Sequence, residues 1–542
     1  MGAMINPGAD KFRAIRALEY IDKTGLIYEV DRYLNTDDCC LLVSRPRRFG
    51  KSYAAAMLSA YYGYGNECED LFQGMKIQQL DPDFENMGKY EIIYLDLSRF
   101  KLTAMDEQER LNRKAARNNT SPEQLDWIAF LKNQILKELR ASYGRKGIVH
   151  SFSQTLENIA KRNNRKFLWI CDEWDLFLRE EIQDKMAASN YLELLRGLFK
   201  TSDGYTNRVF AGAYFTGILP MKKMKGESAV SSFLNFTMLA PGRLAPYVGF
   251  TMEDIKYLCE KYSVSFDDML EWYDGYHFKE AETVFNPRSV MEAVRLKIFD
   301  SYWTQTADYE NLKTNIELDF DGLREAILAL VSGSDIPIDG NAFNNDLTDI
   351  KDTNEELVAL VHLGYLSYDW RTKTVRIPNK EIRTEFINSL KKNPHKATAQ
   401  MIRQADALLE ATWKGDEELV AQGLSLAHQE TGDMKQYSSE ARLSETVRLA
   451  YCTARDHYIR IDELPGGTGY ADIVFIPKKS SDKPLMVIEL KWDKPVHTAI
   501  DQIRDRNYPQ VLSEYGQEIL LVGITHQVRG KKHICKIEKF ST

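Results

Sequence analysis

Short apolar runs alternate with longer amphipathic segments through the first part of the chain. The runs occupy residues 39–43, 91–97, 167–171 and 208–217. Strands that are apolar at successive positions and separated by helical segments are typical of a parallel sheet covered on both faces. The pattern therefore predicts an α/β core in which strands and helices alternate.

The polar segments between these runs predict helices. Residues 121–143 form an amphipathic pattern that Ser121-Pro122-Glu123 is expected to open. Residues 99–117 are heavily charged, and we favour a solvated helix face there over the alternative of a nucleic-acid contact. Further along, 363–378 predicts a small hairpin and 395–429 a pair of polar helices.

The last hundred residues, approximately, follow a second pattern. A predicted helix over 441–455 precedes a turn and a strand that carries Asp472. An apolar strand follows over 485–490, and a helix comes after it. A length of 542 residues exceeds what one core supports, so several domains are expected.

The composition of the chain excludes several classes of protein but does not indicate a function. The chain is 44% hydrophobic and 28% charged with a net charge of −8, so no overall positive field attracts nucleic acid. Its seven cysteines are scattered and lack paired CxxC spacing, which favours reduced thiols over disulfides or zinc. We expect a cytoplasmic protein without a membrane span, because neither a signal segment nor a long apolar run is present.

The turn after the first apolar run ends in Gly50-Lys51-Ser52 and opens a helix of small residues. A glycine there allows close backbone approach to a phosphate, a lysine can reach the terminal phosphates, and a serine hydroxyl can ligate Mg²⁺. Free N–H groups at the helix start would add to the attraction. An ordinary helix start is the alternative, because Arg45 stands where the usual loop has its first glycine.

A second candidate group of residues ends the strand over 167–171. Asp172 and Glu173 follow it directly, and Asp175 comes two residues later. A strand that ends in adjacent acids can place one carboxylate at the Mg²⁺ of a bound nucleotide and another at the attacking water. We assign Asp172 to the metal and Glu173 to the water, with Asp175 in a supporting role.

The C-terminal strands predict a separate metal-dependent chemistry. Glu489 and Lys491 are two residues apart on one strand and therefore share a face, and Asp472 lies on the neighbouring strand of a predicted hairpin. Two carboxylates suit Mg²⁺, with Mn²⁺ as an alternative, and the lysine could position a water for phosphodiester hydrolysis. Such a pattern also arises on exposed strands, but the apolar surroundings make an unpaired charge here costly.

Taken together, these motifs resemble the AAA-ATPase-like family of bacterial proteins that carry a C-terminal PD-(D/E)XK nuclease domain. The phrase SRPRRFGKS has the family's form, in which arginine at position 45 is usual, and WYDGY with Asn286-Pro287 is a further match. Asp472, Glu489 and Lys491 resemble the nuclease signature, Glu445 matches an acid on the preceding helix, and Gln502 matches a phrase that ends at Tyr508. Tyr470 departs from the arginine that is more common there.

The resemblance implies a P-loop NTPase core of AAA-like type, a helical or winged-helix-like lid and a restriction-endonuclease-like α/β domain. We expect an ATPase domain over 1–248, a lid over 249–394, a helical linker over 395–430 and a nuclease-like domain over 431–542. We expect Asp22-Lys23-Thr24 to start a helix, with a position near the adenine or the phosphate loop as the alternative. Thr216 is expected to sense the γ-phosphate unless it lies in a plain turn. The residues expected at ATP and its Mg²⁺ are Arg45, Arg47, Arg48, Phe49, Gly50, Lys51, Ser52, Asp172 and Thr216.

The leading hypothesis is an ATPase coupled to a nuclease that acts on DNA, in defence or in the processing of mobile elements. The expected catalytic residues are Glu173, Asp472, Glu489, Lys491, Glu445 and Gln502. Two alternatives stay open: a nucleotide-switched binding or scaffold protein with little nuclease activity, and an enzyme that acts on RNA. An arginine finger supplied in trans, for which Arg243 is a candidate, would imply a homo-oligomer.

Overall fold

The computed structural model describes residues 2–179, 185–200, 203–221, 232–303, 323–340, 350, 352–391, 397–430, 440–466, 469–478, 481–506, 508–512 and 518–541. The chain forms two compact units. The first comprises Met1–Thr304 and Pro337–Asn379, and the second comprises Gln305–Ile336 and Lys380–Thr542. The four domains expected from the sequence, with their three boundaries, stay a prediction.

The strands are numbered in chain order across both units. They are β1 (Cys40–Ser44), β2 (Glu91–Asp96), β3 (Phe167–Asp172), β4 (Phe210–Gly217), β5 (Phe233–Phe236), β6 (Phe250–Thr251), β7 (Tyr276–Phe278), β8 (Glu282–Phe285), β9 (Ile336–Pro337), β10 (Ser367–Asp369), β11 (Thr374–Arg376), β12 (Tyr458–Gly466), β13 (Gly469–Pro477), β14 (Leu485–Trp492), β15 (Glu518–Gln527) and β16 (Lys532–Ser541).

The α-helices are numbered in the same way. They are α1 (Asp10–Arg16), α2 (Gly25–Asp31), α3 (Lys51–Tyr62), α4 (Lys76–Leu80), α5 (Leu97–Arg117), α6 (Trp127–Tyr143), α7 (Phe152–Asn163), α8 (Lys185–Phe199), α9 (Tyr205–Val209), α10 (Met252–Tyr262), α11 (Phe266–Tyr273), α12 (Pro287–Leu296), α13 (Leu323–Ser332), α14 (Thr353–Leu363), α15 (Lys380–Lys391), α16 (Ala397–Lys414), α17 (Glu417–Glu430), α18 (Glu440–Ala450), α19 (His497–Asp505) and α20 (Tyr508–Val511). Short 3₁₀ helices cover Glu69–Leu71, Gly242–Tyr247 and Cys452–Asp456.

A five-stranded sheet with the order β2-β3-β4-β1-β5 forms the centre of the first unit. Every neighbouring pair in it is parallel, so the carboxyl ends of the strands lie along one edge. All four apolar runs found in the sequence are strands of this sheet. Helices α5 to α8 contribute to the same core, which explains why the strands are apolar at successive positions.

The ends of several helices follow local capping chemistry. The Thr24 residue precedes α2, which confirms the helix start expected at Asp22-Lys23-Thr24. The start expected at Ser121 is wrong: α6 begins at Trp127, because the Asp126 side chain accepts from the backbone N–H groups of the first turn. Helix α5 carries the ion pairs Arg110–Glu107 and Arg113–Glu109 on its surface, as expected of a solvated face.

The remainder of the first unit contains smaller sheets. Strands β6, β8 and β7 form an antiparallel sheet, and β10 with β11 forms the predicted hairpin. The aromatic segment over 272–276 packs in the interior, where Tyr273 and Tyr276 are buried. Gly275 has φ of 124°, and a Cβ there would lie 2.1 Å from the Pro378 carbonyl oxygen.

The second unit contains a five-stranded sheet with the order β12-β13-β14-β15-β16. Only β14 and β15 run parallel in this sheet, and the other neighbours are antiparallel. One face packs in a core with α16, α17 and α18, whereas the other packs against α19 and α20. The helix expected over 441–455 ends at Ala450, and a 3₁₀ turn follows it.

Because side chains alternate along a strand, β14 presents different residues to these two layers. Ile488 and Leu490 belong to the core that includes α16 to α18. Val487 belongs to the core on the α19 side, which is therefore also the side of Glu489 and Lys491. No helix in the described part of the chain is long and apolar enough to cross a membrane.

Candidate functional sites

The loop between β1 and α3 adopts the backbone conformation that its sequence requires. Gly50 caps α3 with φ of 90°, in the left-handed region that glycine enters without a steric penalty. Arg48 also has positive φ, at 70°. The loop is thus held in a strained turn, which is frequent at ligand-binding sites.

Lys51 folds back across this loop. Its Nζ donates to the carbonyl oxygens of Arg45 at 3.0 Å and Pro46 at 2.9 Å, and the side chain is buried. Burial lowers the pKa of Lys51, although nearby carboxylates oppose that shift. The two carbonyls orient the ammonium group without neutralising its charge, so it remains able to attract an anion.

Asp172 ends β3 and is the first of the acids beside the loop. It is 2% exposed, and burial raises its pKa to about 6, although the Ser52 hydroxyl opposes that shift by hydrogen bonding to the carboxylate. Among the described residues, its Oδ1 atom is buried without a hydrogen-bond partner. A carboxylate oxygen in that state, next to a serine hydroxyl, fits the donor set that Mg²⁺ uses.

Glu173 occupies a strained position at the same strand end. Its φ is 57°, and its carboxylate forms an ion pair with Arg179. Burial opposes ionisation of Glu173, yet the charges of Lys51, Arg179 and Arg47 outweigh it and lower the pKa of the carboxyl. Glu173 is therefore an ionised group among cations, and its partner Arg179 was not predicted from the sequence.

Asp175 has a structural environment that differs from those of its neighbours. Its Oδ2 accepts from the backbone N–H groups of Ile218 at 3.0 Å and Leu219 at 2.8 Å. Arg179 Nε lies 3.6 Å from Oδ1. Burial raises the pKa of Asp175, while Arg179 opposes the shift. These contacts fix the turn after β4 against the acidic strand end.

Thr216 lies directly opposite Asp172 in the β3–β4 register and opposite Val43 in the β1–β4 register. Its Oγ1 is buried, and no partner for it is found among the described residues. Its carbonyl accepts from the Trp174 N–H at 3.0 Å. Thr216 thus brings a hydroxyl between the loop strand and the acid strand, as a phosphate sensor would require, and that role stays a prediction.

The arginines of the loop have three different environments. Arg45 is fully buried, donates to the carbonyls of Ser44 and Phe236, and has its pKa lowered to about 10 by burial. Arg48 is exposed and donates to the Tyr302 carbonyl at 3.3 Å. Arg47 is half-buried, and its charge acts on Glu173. Of these three arginines, only Arg47 has an electrostatic interaction with an acid at the end of β3 among the described contacts.

Phe49 is buried and packs edge-on against Tyr276 with ring centroids 5.3 Å apart. The observed contacts of Arg45 and Phe49 are structural, and their contact with a nucleotide stays a prediction.

The C-terminal acids and lysine meet on one face of the second sheet. Lys491 Nζ donates to Glu489 Oε1 at 3.1 Å and to the Leu490 carbonyl at 3.0 Å. Asp472 Oδ2 accepts from the Leu490 N–H at 2.7 Å, which holds its carboxylate at the neighbouring strand. Gln502 Nε2, from α19, donates to the same Glu489 oxygen that binds Lys491.

Glu489 is the electrostatic centre of this cluster. It is 1% exposed, and burial together with the negative charge of Asp472 raises its pKa to about 7, against the opposing charges of Lys491 and Arg506. Its Oε2 atom is buried and lacks a hydrogen-bond partner in the described part of the chain. Two close carboxylates with a free buried oxygen fit a hard divalent cation such as Mg²⁺.

Arg506 borders the cluster and was not assigned from the sequence. Arg506 Nη1 donates to the Tyr470 carbonyl at 2.9 Å and to the Tyr508 hydroxyl at 3.1 Å, and it lies 4.0 Å from Glu489 Oε1. Arg506 follows Gln502 by four residues, so a helical spacing could have revealed it. The exposed Tyr470 stands beside this arginine at the position where the resemblance led us to expect arginine itself.

Glu445 is not brought into this cluster by any contact between described residues. It lies on α18 with an exposed side chain. Its catalytic role therefore stays a prediction. Arg243 is likewise exposed, in the 3₁₀ helix Gly242–Tyr247, and its role as an arginine finger is also untested.

Family models match the two segments of the chain that contain these sites. The family described as predicted AAA-ATPase matches residues 7–225, and the PD-(D/E)XK nuclease superfamily matches residues 442–536. No curated protein matches the chain. The two matches contain the loop with its acidic strand end and the Asp472–Glu489–Lys491 cluster, respectively. The chain therefore joins an AAA-ATPase-like domain to a C-terminal domain of the PD-(D/E)XK nuclease superfamily.

Proposed function

We propose that the protein hydrolyses ATP in its first domain and cleaves DNA phosphodiester bonds in its last, with ATP hydrolysis controlling cleavage. The observation that carries the nuclease half is the buried Glu489: one of its oxygens is bound by Lys491 and Gln502, and the other has no hydrogen-bond partner among the residues that the structure describes. An acid kept in this state without a ligand would cost stability, so a functional reason for it is needed.

In the ATPase site, each residue has a distinct task. Lys51, oriented by two loop carbonyls, would bind the terminal phosphates together with the free N–H groups at the start of α3. Ser52 and Asp172 would hold Mg²⁺, which supplies charge neutralisation to the phosphates. Glu173, ionised between Lys51 and Arg179, would orient the attacking water and accept its proton.

In the nuclease site, Asp472 and Glu489 would hold Mg²⁺ or Mn²⁺. A divalent ion there supplies Lewis acidity and lowers the pKa of a water ligand. Lys491 would orient the attacking water and balance the charge that develops on the phosphate. Gln502 donates to Glu489 and so fixes the carboxylate orientation. Foreign DNA or mobile elements are the substrates we propose.

The test is a cleavage assay on plasmid and linear DNA with Mg²⁺ or Mn²⁺, with and without ATP. The Lys491→Ala variant should lose cleavage, and Lys51→Ala should lose both ATP hydrolysis and the effect of ATP on cleavage. Matched controls are Lys539→Ala and Lys137→Ala, which alter exposed lysines of the second and first units. If cleavage proceeds equally in Lys491→Ala, the nuclease assignment is wrong.

Two other outcomes would redirect the proposal. DNA binding that depends on ATP, without cleavage under any metal condition, would favour a nucleotide-switched binding or scaffold protein. Cleavage of RNA in preference to DNA would show that RNA, rather than DNA, is the substrate. Cleavage that needs Lys491 but is unchanged in Lys51→Ala would separate the nuclease from the ATPase.

A further inference from the structure

Three histidines meet in the second unit on the sheet face that packs against α16 to α18. His428 lies near the end of α17, while His526 and His533 lie on β15 and β16. The last two are directly opposite each other in the antiparallel register. Three elements distant in sequence therefore contribute one imidazole each.

The imidazoles are close enough to share a ligand. One ring nitrogen from each histidine lies within 4.8 Å of the others. The ring centroids are 5.2 Å apart for His428–His526 and His428–His533, and 4.9 Å apart for His526–His533. Around a tetrahedral ion with Zn–N bonds of about 2.05 Å, ligand nitrogens lie about 3.3 Å apart. To share one ion, the nitrogens would therefore have to approach each other by up to about 1.5 Å.

Burial favours the neutral form of the imidazoles in this cluster. His526 and His533 are 6% and 4% exposed, and burial together with mutual repulsion lowers the pKa of His533 to about 3. Burial also lowers the pKa values of His428 and His526. Neutral imidazoles offer lone pairs, as metal ligation requires.

His533 has the hydrogen bonding typical of a metal ligand. Its Nδ1 lies 3.2 Å from the Ser425 hydroxyl oxygen, one turn before His428 on α17. Its Nε2 is buried and has no hydrogen-bond partner among the described residues. When Nε2 binds a metal, Nδ1 carries the proton and donates to Ser425, the second contact that fixes a ligating imidazole.

We propose that His428, His526 and His533 bind one Zn²⁺ ion, or a similar transition-metal dication, and thereby fasten α17 to the β15–β16 hairpin. Three imidazoles suit zinc, copper or nickel, whereas Mg²⁺ prefers oxygen ligands. This site differs from the carboxylate cluster in ligand type and in the sheet face that it occupies. His526 is paired with Trp492 in the β14–β15 register, so their side chains lie on the same face. Trp492 follows Lys491 directly on β14, so its side chain lies on the face opposite to that of Lys491.

The experiment uses the full-length, tag-free chain carrying Asp472→Asn, so that the carboxylate site contributes little metal binding. Metal-free protein is titrated with Co²⁺, which gives intense visible absorption bands in a tetrahedral site, and then with Zn²⁺ as a competitor. The variants His428→Gln, His526→Gln and His533→Gln are compared with His457→Gln. His457 is a half-buried histidine of the same unit that packs edge-on against Trp413.

The parent chain and His457→Gln should bind one equivalent of Co²⁺ with tetrahedral bands, and Zn²⁺ should displace it and raise their thermal midpoint. Each variant of the three histidines should lose affinity by more than the roughly 10–100-fold that loss of an outer contact costs. Equal binding in all variants, or near-ultraviolet bands of a cysteine ligand, would overturn the proposal. If the variants do not fold, the visible absorption spectrum of the Co²⁺-loaded parent chain still tests the proposal. Absence of tetrahedral bands in that spectrum would by itself refute the site.

Discussion

The substitution Glu489→Gln should stabilise the metal-free protein while it removes nuclease activity. Glu489 has its pKa raised from 4.5 to about 7 in the folded chain. An acid with a raised pKa holds its proton in the folded state after the unfolded chain has lost it. Stability from this group is therefore complete below pH ~4.5 and falls as pH rises toward ~7.

The size of the effect follows from that shift. About 2.5 pKa units, from 4.5 to about 7, correspond to about 3 kcal/mol at 1.36 kcal/mol per unit. The figure is an upper limit for the variant, because glutamine also removes the ion pair with Lys491. At pH 8 the variant should gain up to ~3 kcal/mol, and at pH 5, where the folded chain keeps Glu489 protonated and the unfolded chain has only partly lost that proton, the gain should fall below ~1 kcal/mol.

Hydrogen exchange with mass spectrometry can measure this change in the stability of β14 in the full chain. A local method is needed because the two units need not unfold in one step. Peptides covering Leu485–Trp492 report the opening of β14. Comparison at one pH cancels the intrinsic exchange rate. At pH 8 with a chelator, these peptides should exchange up to about 100-fold more slowly in the variant, as 3 kcal/mol requires. Added Mg²⁺ should slow exchange in the wild type alone.

The control is Glu518→Gln, which alters an exposed glutamate that pairs with Lys539 on the sheet edge. It should change exchange little at either pH, since exposed ion pairs contribute ~0–1 kcal/mol. Faster exchange of β14 in Glu489→Gln at pH 8, or the same difference at pH 5 and pH 8, would refute the electrostatic reasoning.

Three further predictions concern the first unit. Affinity for Mg²⁺-ATP, measured by calorimetry, should fall as pH drops through about 6, where Asp172 takes a proton, and Asp172→Asn should abolish this pH dependence; an unchanged profile would contradict it. Gly50→Ala should lower stability in thermal unfolding by about 1–2 kcal/mol because φ is 90°, whereas Gly197→Ala, at a helical position with open space, should not. Asp175→Ala should cost about 2–5 kcal/mol in the same assay, because it leaves the buried N–H groups of Ile218 and Leu219 unpaired; a neutral result would contradict that role.

The sequence was sufficient to predict the parallel strands and the shared strand face of Glu489 and Lys491, because these depend on local patterns. Successive apolar residues specify a strand buried on both faces, and the alternation within β14 places Glu489 and Lys491 together. Helix ends were less predictable where two capping residues competed: Asp126, rather than Ser121, caps α6, which begins at Trp127.

The contacts missed from the sequence join residues that are distant or separated by a turn. Arg179 meets Glu173 only because the chain turns after β3, and no periodic pattern encodes that turn. The three histidines come from a helix and two strands, so their spacing of 98 residues between His428 and His526 carries no ligand signature. Such clusters follow from sheet register and helix packing, which single-sequence patterns do not determine.

The acids at the two sites differ from an ordinary structural acid in how their oxygens are used. Asp175 accepts two backbone N–H bonds and has Arg179 nearby, so it contributes to the fold without a ligand. Asp172 and Glu489 each have one buried oxygen without a partner among the described residues. Such an oxygen costs free energy in the unliganded protein and recovers it when a cation binds. Because burial also raises both pKa values, protons compete with that cation. The same physical property therefore underlies metal affinity, pH dependence and the gain in stability expected of Glu489→Gln.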